Sequence, residues 1–444
     1  MYEIVLGRTL SDREQFGQRG TILLGKHYVK MGQTLSLSNP VLLDVVKPHV
    51  LLIAGKRGGG KSYTMAVMAE GMAKLEKEIF KNISVLMFDP MGIFWTTKYP
   101  NFRQDELLGK WDMKPEPLDK IVKVYIPYGH FKAFKDKGIP VDVAYAISVA
   151  TLSDQDWINV FNLNAVDPVG VLITDVIIEL KERKKKYGFE EIFKAIKAYA
   201  EADSTTKNAV RSLFAAAESW GLFKKDGTPL NELVKGGQIS VLDLSPYAHT
   251  AGTYSIRALV VGLVSKRILE ERMEARRIEE LAEIERGWAF FDVDYAQAAE
   301  KVVPLVWVFI DEAHEFLPRT GITPATNALI QVIREGRQPG ISMVLATQQP
   351  GKIHTDVMTQ ADILISTRIT SRLDIEGLNA VMQSYLPGAI TKLFETLPPE
   401  RGAALVIDDK LEKMYPIQVR PRFTWHGGHE TSALKEKKEF LKSK

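Results

Sequence analysis

Short, almost unbroken apolar runs recur along the chain, at Val50–Ala54, Ser84–Phe88, Val122–Ile126, Ile239–Leu242, Val306–Ile310, Ser342–Thr347, Asp362–Thr367 and Ala404–Ile407. Each has the length of a strand. Most lack polar alternation, the pattern of strands buried on both faces. Helical-period stretches lie between most of them, so the order predicts an α/β core around a largely parallel sheet.

Two regions depart from this rhythm. Residues 1–45 read as short β pieces, Glu3–Leu6, Thr21–Leu24, Tyr28–Val29 and Leu35–Leu37, separated by Gly, Ser and Asn, and predict a small, reduced barrel-like β appendage. Residues 153–235 are almost wholly helical in pattern, with Trp157, Val160 and Phe161 at helical spacing, and predict a helical insertion. The insertion divides the core into a first part, residues 46–152, and a second part, residues 236–430. Its run Lys181–Lys186 is the most basic of the chain and reads as a solvated helix end in preference to a DNA contact. A further helix from about Tyr254 begins apolar (Ala258, Val261, Val264) and turns almost wholly charged over Glu270–Glu285, so it is expected to leave the core. Residues 431–444 form a basic tail.

Composition narrows the class. With 444 residues, 45% hydrophobic and 25% charged, the chain can bury a large core. The best candidate for a membrane span, Val169–Leu180, is broken by Asp175 and Glu179 and is too short to cross a membrane. The opening MYEIVLGRTLSDREQ lacks both a basic and an apolar leader region, so a soluble, cytoplasmic protein without membrane attachment is expected. The absence of cysteine excludes disulfides, thiolate metal sites and a cysteine nucleophile. A net charge of +3 does not by itself mark a nucleic-acid binder, but a ring of identical subunits would multiply any inward-facing cation.

The chemistry begins at Gly55–Ser62, GKRGGGKS, placed between the run ending at Ala54 and a helical stretch Tyr63–Leu75. This fits the phosphate-binding loop G-x-x-x-x-G-K-[ST] in its required strand–turn–helix context. Gly58, Gly59 and Gly60 let backbone N–H groups curl around phosphates, and the helix adds its positive dipole end. Gly55 opens the loop, and Tyr63 follows it at the start of the helix. Lys61 is expected to reach the terminal phosphates of ATP, and Ser62 to ligate Mg2+.

The run Val306–Ile310 ends in Asp311-Glu312. A buried parallel strand delivers such carboxylates to the sheet edge where ligands bind, so Asp311 is the second candidate in the Mg2+ shell and Glu312 the candidate base for water. The strand at Ser342–Thr347 leads into Gln348, and either Gln348 or Thr347 is placed to sense the phosphate or the water. Arg334 and Arg337 share a helix face just before Gln338-Pro339-Gly340; they are ordinary dipole partners or, on the sharper reading, supply an arginine finger to a neighbour.

GKRGGGKSYTM, MFDPMG (Met87–Gly92), VFIDEAHEFLP (Val308–Pro318), REGRQPG (Arg334–Gly340), ATQQP (Ala346–Pro350) and Asp362–Leu378 together resemble the HerA/FtsK group of P-loop ATPases, most closely HerA-like DNA translocases. The resemblance spans roughly residues 46–425 apart from the insertion. It implies a RecA-like core in a hexameric ring, ATP between subunits and DNA in a central channel. It also implies that Lys61 and Ser62 are the P-loop pair, Asp311 and Glu312 the acidic motif, Gln348 the motif after it, Arg337 the trans-acting arginine and Arg368 a less defined basic position near the next strand's end. Two features depart from the family: Ile93 follows Gly92 where relatives often carry an acid, and residues 1–45 are fewer than the barrel that full HerA proteins use to dock a NurA-type nuclease.

The function expected is an ATP-driven hexameric helicase or translocase that moves duplex DNA, assisting DNA end processing, with a nuclease as a possible partner. The competing expectation is a nucleotide-gated scaffold that assembles a nuclease or defence complex without translocation. Lys352 and His354, in the loop after Gln349, are candidates to face DNA.

Overall fold

The computed structural model of the chain describes residues 3–31, 34–184, 186–248, 256–289, 303–367, 394 and 397–428. Arg368, most of Asp362–Leu378 and the tail 431–444 lie outside these residues.

In chain order the strands are β1 (Ile4–Leu6), β2 (Thr21–Met31), β3 (Thr34–Asp44), β4 (Val50–Ala54), β5 (Ile83–Asp89), β6 (Val122–Pro127), β7 (Val143–Tyr145) and β8 (Ile147–Ser148). They continue as β9 (Phe223–Lys224), β10 (Gln238–Asp243), β11 (Leu305–Ile310), β12 (Ile341–Thr347), β13 (Ile363–Thr367), β14 (Ala403–Asp408) and β15 (Lys413–Val419). Thirteen of them form one sheet in the order β1-β3-β2-β15-β14-β13-β4-β12-β11-β5-β10-β6-β7, and β8 pairs separately with β9. From β13 to β7 every pairing is parallel. From β13 through β14, β15 and β2 to β3 every pairing is antiparallel.

The eight apolar runs read from the sequence are eight strands of this sheet, within a residue or two at each end. Alternate side chains of β4 explain why they are so apolar. Leu51 and Ile53 pack in the core layer that holds Met65, Met68 and Met72 of the helix Lys61–Ala73. Leu52 and Ala54 pack in the opposite layer, which holds the helical stretch, the helix Ile256–Ala289 and the helix Thr326–Glu335. Both faces are covered, so neither face selects polar residues.

The N-terminal strands extend the core's own sheet: β2 pairs with β15 at Ile417–Val419, and β2 and β3 are single strands of 11 residues each where shorter pieces were expected. The antiparallel flank β14–β15 leaves an edge of unpaired N–H and C=O groups, and β2 satisfies it. The helix Leu10–Phe16, with a Thr9 capping box, was not anticipated.

The described residues of 153–235 hold five helices around Trp157, which is fully buried against Phe161, Phe214 and Phe223 at ring distances of 5.5, 5.0 and 5.2 Å. The helix Ile256–Ala289 is mostly buried up to Ala275 and exposes Ile278, Leu281 and Ile284 beyond it, as the shift to charged residues anticipated. Among the described residues no helix is long and apolar enough to cross a membrane.

Candidate active site

The parallel strands end at one edge, and the chemistry gathers there. β4 runs into Gly55 and a turn in which Gly58 (φ +75°) and Gly60 (φ +91°) adopt the left-handed region open to glycine. Gly60 precedes the helix Lys61–Ala73 without a side-chain cap, so the first-turn amides have no intrahelical partner and are available to an anion. A Cβ on Gly55 would stand 1.8 Å from Thr367 Oγ1 at the end of β13, and one on Gly59 2.7 Å from the same atom. The loop therefore needs glycine at both positions to close against β13. Lys61 is buried, and its Nζ donates to the Lys56 carbonyl at 3.0 Å, which holds the ammonium inside the loop. Burial pushes the Lys61 pKa down, against the opposing pull of Glu312 and Asp311.

At the end of β11, Asp311 is buried and its Oδ2 accepts a hydrogen bond from Ser62 Oγ at 2.5 Å. Its other oxygen accepts from the Glu312 amide at 2.9 Å. Burial holds the Asp311 carboxyl above the usual range, with Ser62 and the Glu312 amide pulling it back. A hydroxyl and a carboxylate in contact beside a phosphate cradle fit Mg2+, which keeps water and phosphate oxygens as most of its shell. Among the described residues no group of three or more His, Asp or Glu side chains is assembled to hold a metal unaided.

Glu312 has a left-handed backbone, φ +50° and ψ 44°, which a non-glycine residue adopts at a cost. That turn sends Asp311 inward and lays the Glu312 side chain across the end of β12. There Glu312 Oε1 accepts a hydrogen bond from Gln348 Nε2. Glu312 Oε2 is buried without a hydrogen bond among the described residues. Burial, reinforced by Asp311, raises the Glu312 pKa. An orphaned oxygen on a half-buried carboxylate is what an ordered water would satisfy.

Lys61, Ser62, Asp311, Glu312, Gln348 and Thr347 thus share one edge. Arg337 does not. It follows the helix Thr326–Glu335 and precedes β12 by a short turn, so it lies at the opposite edge of the sheet. β12 is seven residues long, and at about 3.3 Å per residue the separation is on the order of 20 Å. Arg334 makes an ion pair with Asp356 at 2.7 Å, whereas Arg337 is exposed and without an ion pair among the described residues. In the loop after Gln349, Lys352 is exposed and His354 Nδ1 accepts from the Asp356 amide at 3.2 Å, capping the helix Thr355–Gln360.

Three groups in the site escaped sequence reasoning. Asp89 and Asp243 end the neighbouring strands β5 and β10 in register. Asp89 accepts from the Phe94 amide at 2.7 Å, and burial with the charge of Asp243 pushes its pKa well up. This pair braces the turn at Gly92 (φ +66°), and Ile93 beside it lines a cleft instead of supplying a charge. That cleft, about 650 Å³, leads from Gly60 and Ser62 past Tyr63 to Trp111, Gln418 and His426. Its far wall is held to the helix Lys61–Ala73 by fully buried Glu70, which pairs with Arg420 at 3.0 Å and Arg422 at 3.1 Å. Tyr63 joins the same wall: its Oη accepts from the Arg422 amide at 2.6 Å and donates to Gln104 Oε1 at 2.9 Å. The third group is His314, beside Glu312. A DEAH run was visible in the sequence, but the partners of its histidine lie on another strand.

Comparison with known proteins gives consistent results. The family model described as "Helicase HerA, central domain" matches residues 29–268. A probable DNA double-strand break repair helicase HerA of Methanocaldococcus jannaschii is 23% identical over 390 residues, covering 83% of this chain and 70% of that protein. A DNA double-strand break repair helicase HerA of Pyrococcus furiosus is 25% identical over 195 residues, 42% of this chain and 33% of that protein. Among solved structures, VirB4 of Thermoanaerobacter pseudethanolicus superposes with a TM-score of 0.54 at 14% identity, covering 91% of this chain and 97% of that one, a likeness of fold.

Proposed function

The chain belongs to the family of the HerA helicase central domain and has a P-loop ATPase fold, and from that premise we propose that it is an ATP-driven translocase of duplex DNA working as a homohexameric ring. One observation carries the reading. The groups assigned to binding and hydrolysing a nucleoside triphosphate meet at one sheet edge, while exposed Arg337, without an ion pair among the described residues, stands at the other. Such a subunit is half of a site at each edge, complete only when a neighbour's arginine meets its phosphates.

Within the site each residue has a separable task. The loop amides and Lys61 bind the phosphates, and the cleft past Tyr63 receives the nucleoside. Ser62 and Asp311 would hold Mg2+, which supplies charge neutralisation on the phosphate oxygens when bound. Glu312 accepts the proton of the attacking water on Oε2 while Gln348 fixes its other oxygen. Arg337 of the adjacent subunit stabilises the charge that develops on the transferred phosphoryl group. The DNA substrate extends to this chain what the names of its HerA relatives state, DNA double-strand break repair, and a role in end processing belongs to the same proposal. Docking to a nuclease belongs to the same reading.

The test is steady-state ATP hydrolysis by the purified protein with and without linear duplex DNA, across a salt series. A DNA motor gives stimulation that fades steeply as salt rises, because its DNA affinity depends on counterion release. Turnover indifferent to DNA at every salt concentration would refute translocation in favour of a nucleotide-gated scaffold.

A further inference from the structure

Glu312 has two oxygens, and the structure treats them differently. Oε1 is held by Gln348, whereas Oε2 lies 3.5 Å from Nδ1 of His314. His314 is itself held on both sides by the segment leaving β12. Its Nδ1 lies 3.2 Å from Thr347 Oγ1, and its Nε2 lies 3.4 Å from Gln349 Nε2. The Gln349 amide nitrogen can only donate, so His314 Nε2 accepts and the ring proton resides on Nδ1, facing Thr347 and Glu312. Burial pushes the His314 pKa down, against the opposing charge of Glu315.

Gln349 opens the turn Pro350–Lys352, and that turn is clasped to the loop after His314. Pro318 and Ile353 form an antiparallel bridge, the Arg319 amide donates to the Lys352 carbonyl at 2.8 Å, and the His354 amide donates to the Leu317 carbonyl at 2.8 Å. Arg319 Nη1 also donates to the Gly351 carbonyl at 3.3 Å. The two loops are therefore held together by these bonds, and the pair presents the exposed cations Arg319 and Lys352 at the strand ends where Glu312 lies.

We propose that His314 is a positioning residue that couples this cationic loop pair to Glu312. A phosphate backbone drawn to Arg319 and Lys352 shifts the Gln349–Lys352 turn, the Gln349–His314 contact carries the shift, and the Glu312 carboxylate is set for water. The loop pair is the two-state element that both ligands bias. This inference rests on the reading of the chain as a DNA-stimulated ATPase.

The experiment measures ATP turnover with and without saturating linear duplex DNA for the full chain, His314→Ala and Gln349→Ala, together with the affinity of each for a fluorescein-labelled duplex. Each variant removes one end of the link, so either alone suffices if the other does not fold. The expected result is a stimulation ratio reduced about fivefold or more, carried by kcat with KM for ATP held, and with DNA affinity within about twofold of the parent. Stimulation retained at the parental ratio in a folded variant, or lost only in proportion to lost DNA affinity, would overturn the coupling. Absence of stimulation in the unsubstituted protein would instead overturn the DNA-motor reading on which it rests.

Discussion

Replacing Arg337 with alanine separates a trans-acting site from a self-sufficient one. The side chain lies beyond a strand of seven residues from the Thr347 end, on the order of 20 Å away, which no arginine side chain spans. Arg337→Ala is therefore expected to leave nucleotide binding intact and to lower kcat by about 10³-fold or more, the range of arginine fingers. Lys61→Ala removes the complementary half. Mixing equal amounts of the two variants under conditions that let subunits exchange gives a sharper outcome. A productive interface needs a P-loop from an Arg337→Ala subunit and an arginine from a Lys61→Ala subunit. Each is chosen with probability one half, so independent sites recover about a quarter of the parental rate. Hydrolysis followed by phosphate release, against each variant alone, reads this directly. An Arg337→Ala protein that turns over at the parental rate would refute the assignment.

Glu312→Gln is expected to keep ATP bound while lowering kcat by about 10² to 10⁴-fold, because the amide preserves the Gln348 contact but accepts no proton; single-turnover hydrolysis with a nucleotide-binding control checks it. Trp157→Ala empties the aromatic centre of the helical region, where the ring is 0% exposed, and is expected to lower stability by about 3–5 kcal/mol, read from denaturant midpoints. His49 provides a pH signature. Burial alone would depress its pKa, but hydrogen bonds to Asp362 (2.7 Å) and Asp44 (3.3 Å) outweigh burial and raise it. Its contribution to stability is thus fully present below the unfolded value of about 6.5 and is lost as pH rises through the folded value. Urea midpoints measured across that window should fall with rising pH, and His49→Asn should flatten the slope.

Much of this was legible locally. A loop that must wrap phosphates requires glycines, a lysine and a hydroxyl in fixed order, and a parallel strand buried on both faces must be apolar, so Gly55–Ser62 and the run ending at Asp311-Glu312 carry their roles in adjacent residues. The N-terminal strands were harder to place. Their alternation suits an appendage as well as a sheet extension, and the choice was made by the free edge of β15, nearly 400 residues away in the chain. The same holds for Glu70, an ordinary helix residue in sequence, which anchors the cleft wall through Arg420, 350 residues distant.

The sequence alone therefore determined the ligand class, the parallel core and where its strands lie along the chain, because sterics and backbone geometry act between neighbours. Only the tertiary structure decided which groups share a site. It brought Gln348 and His314 to opposite oxygens of Glu312, closed β13 onto Gly55, and carried Arg337 to the far edge. Those outcomes depend on which strands lie side by side, and strand adjacency is set by packing two faces and satisfying every edge at once, a condition no local stretch of residues contains.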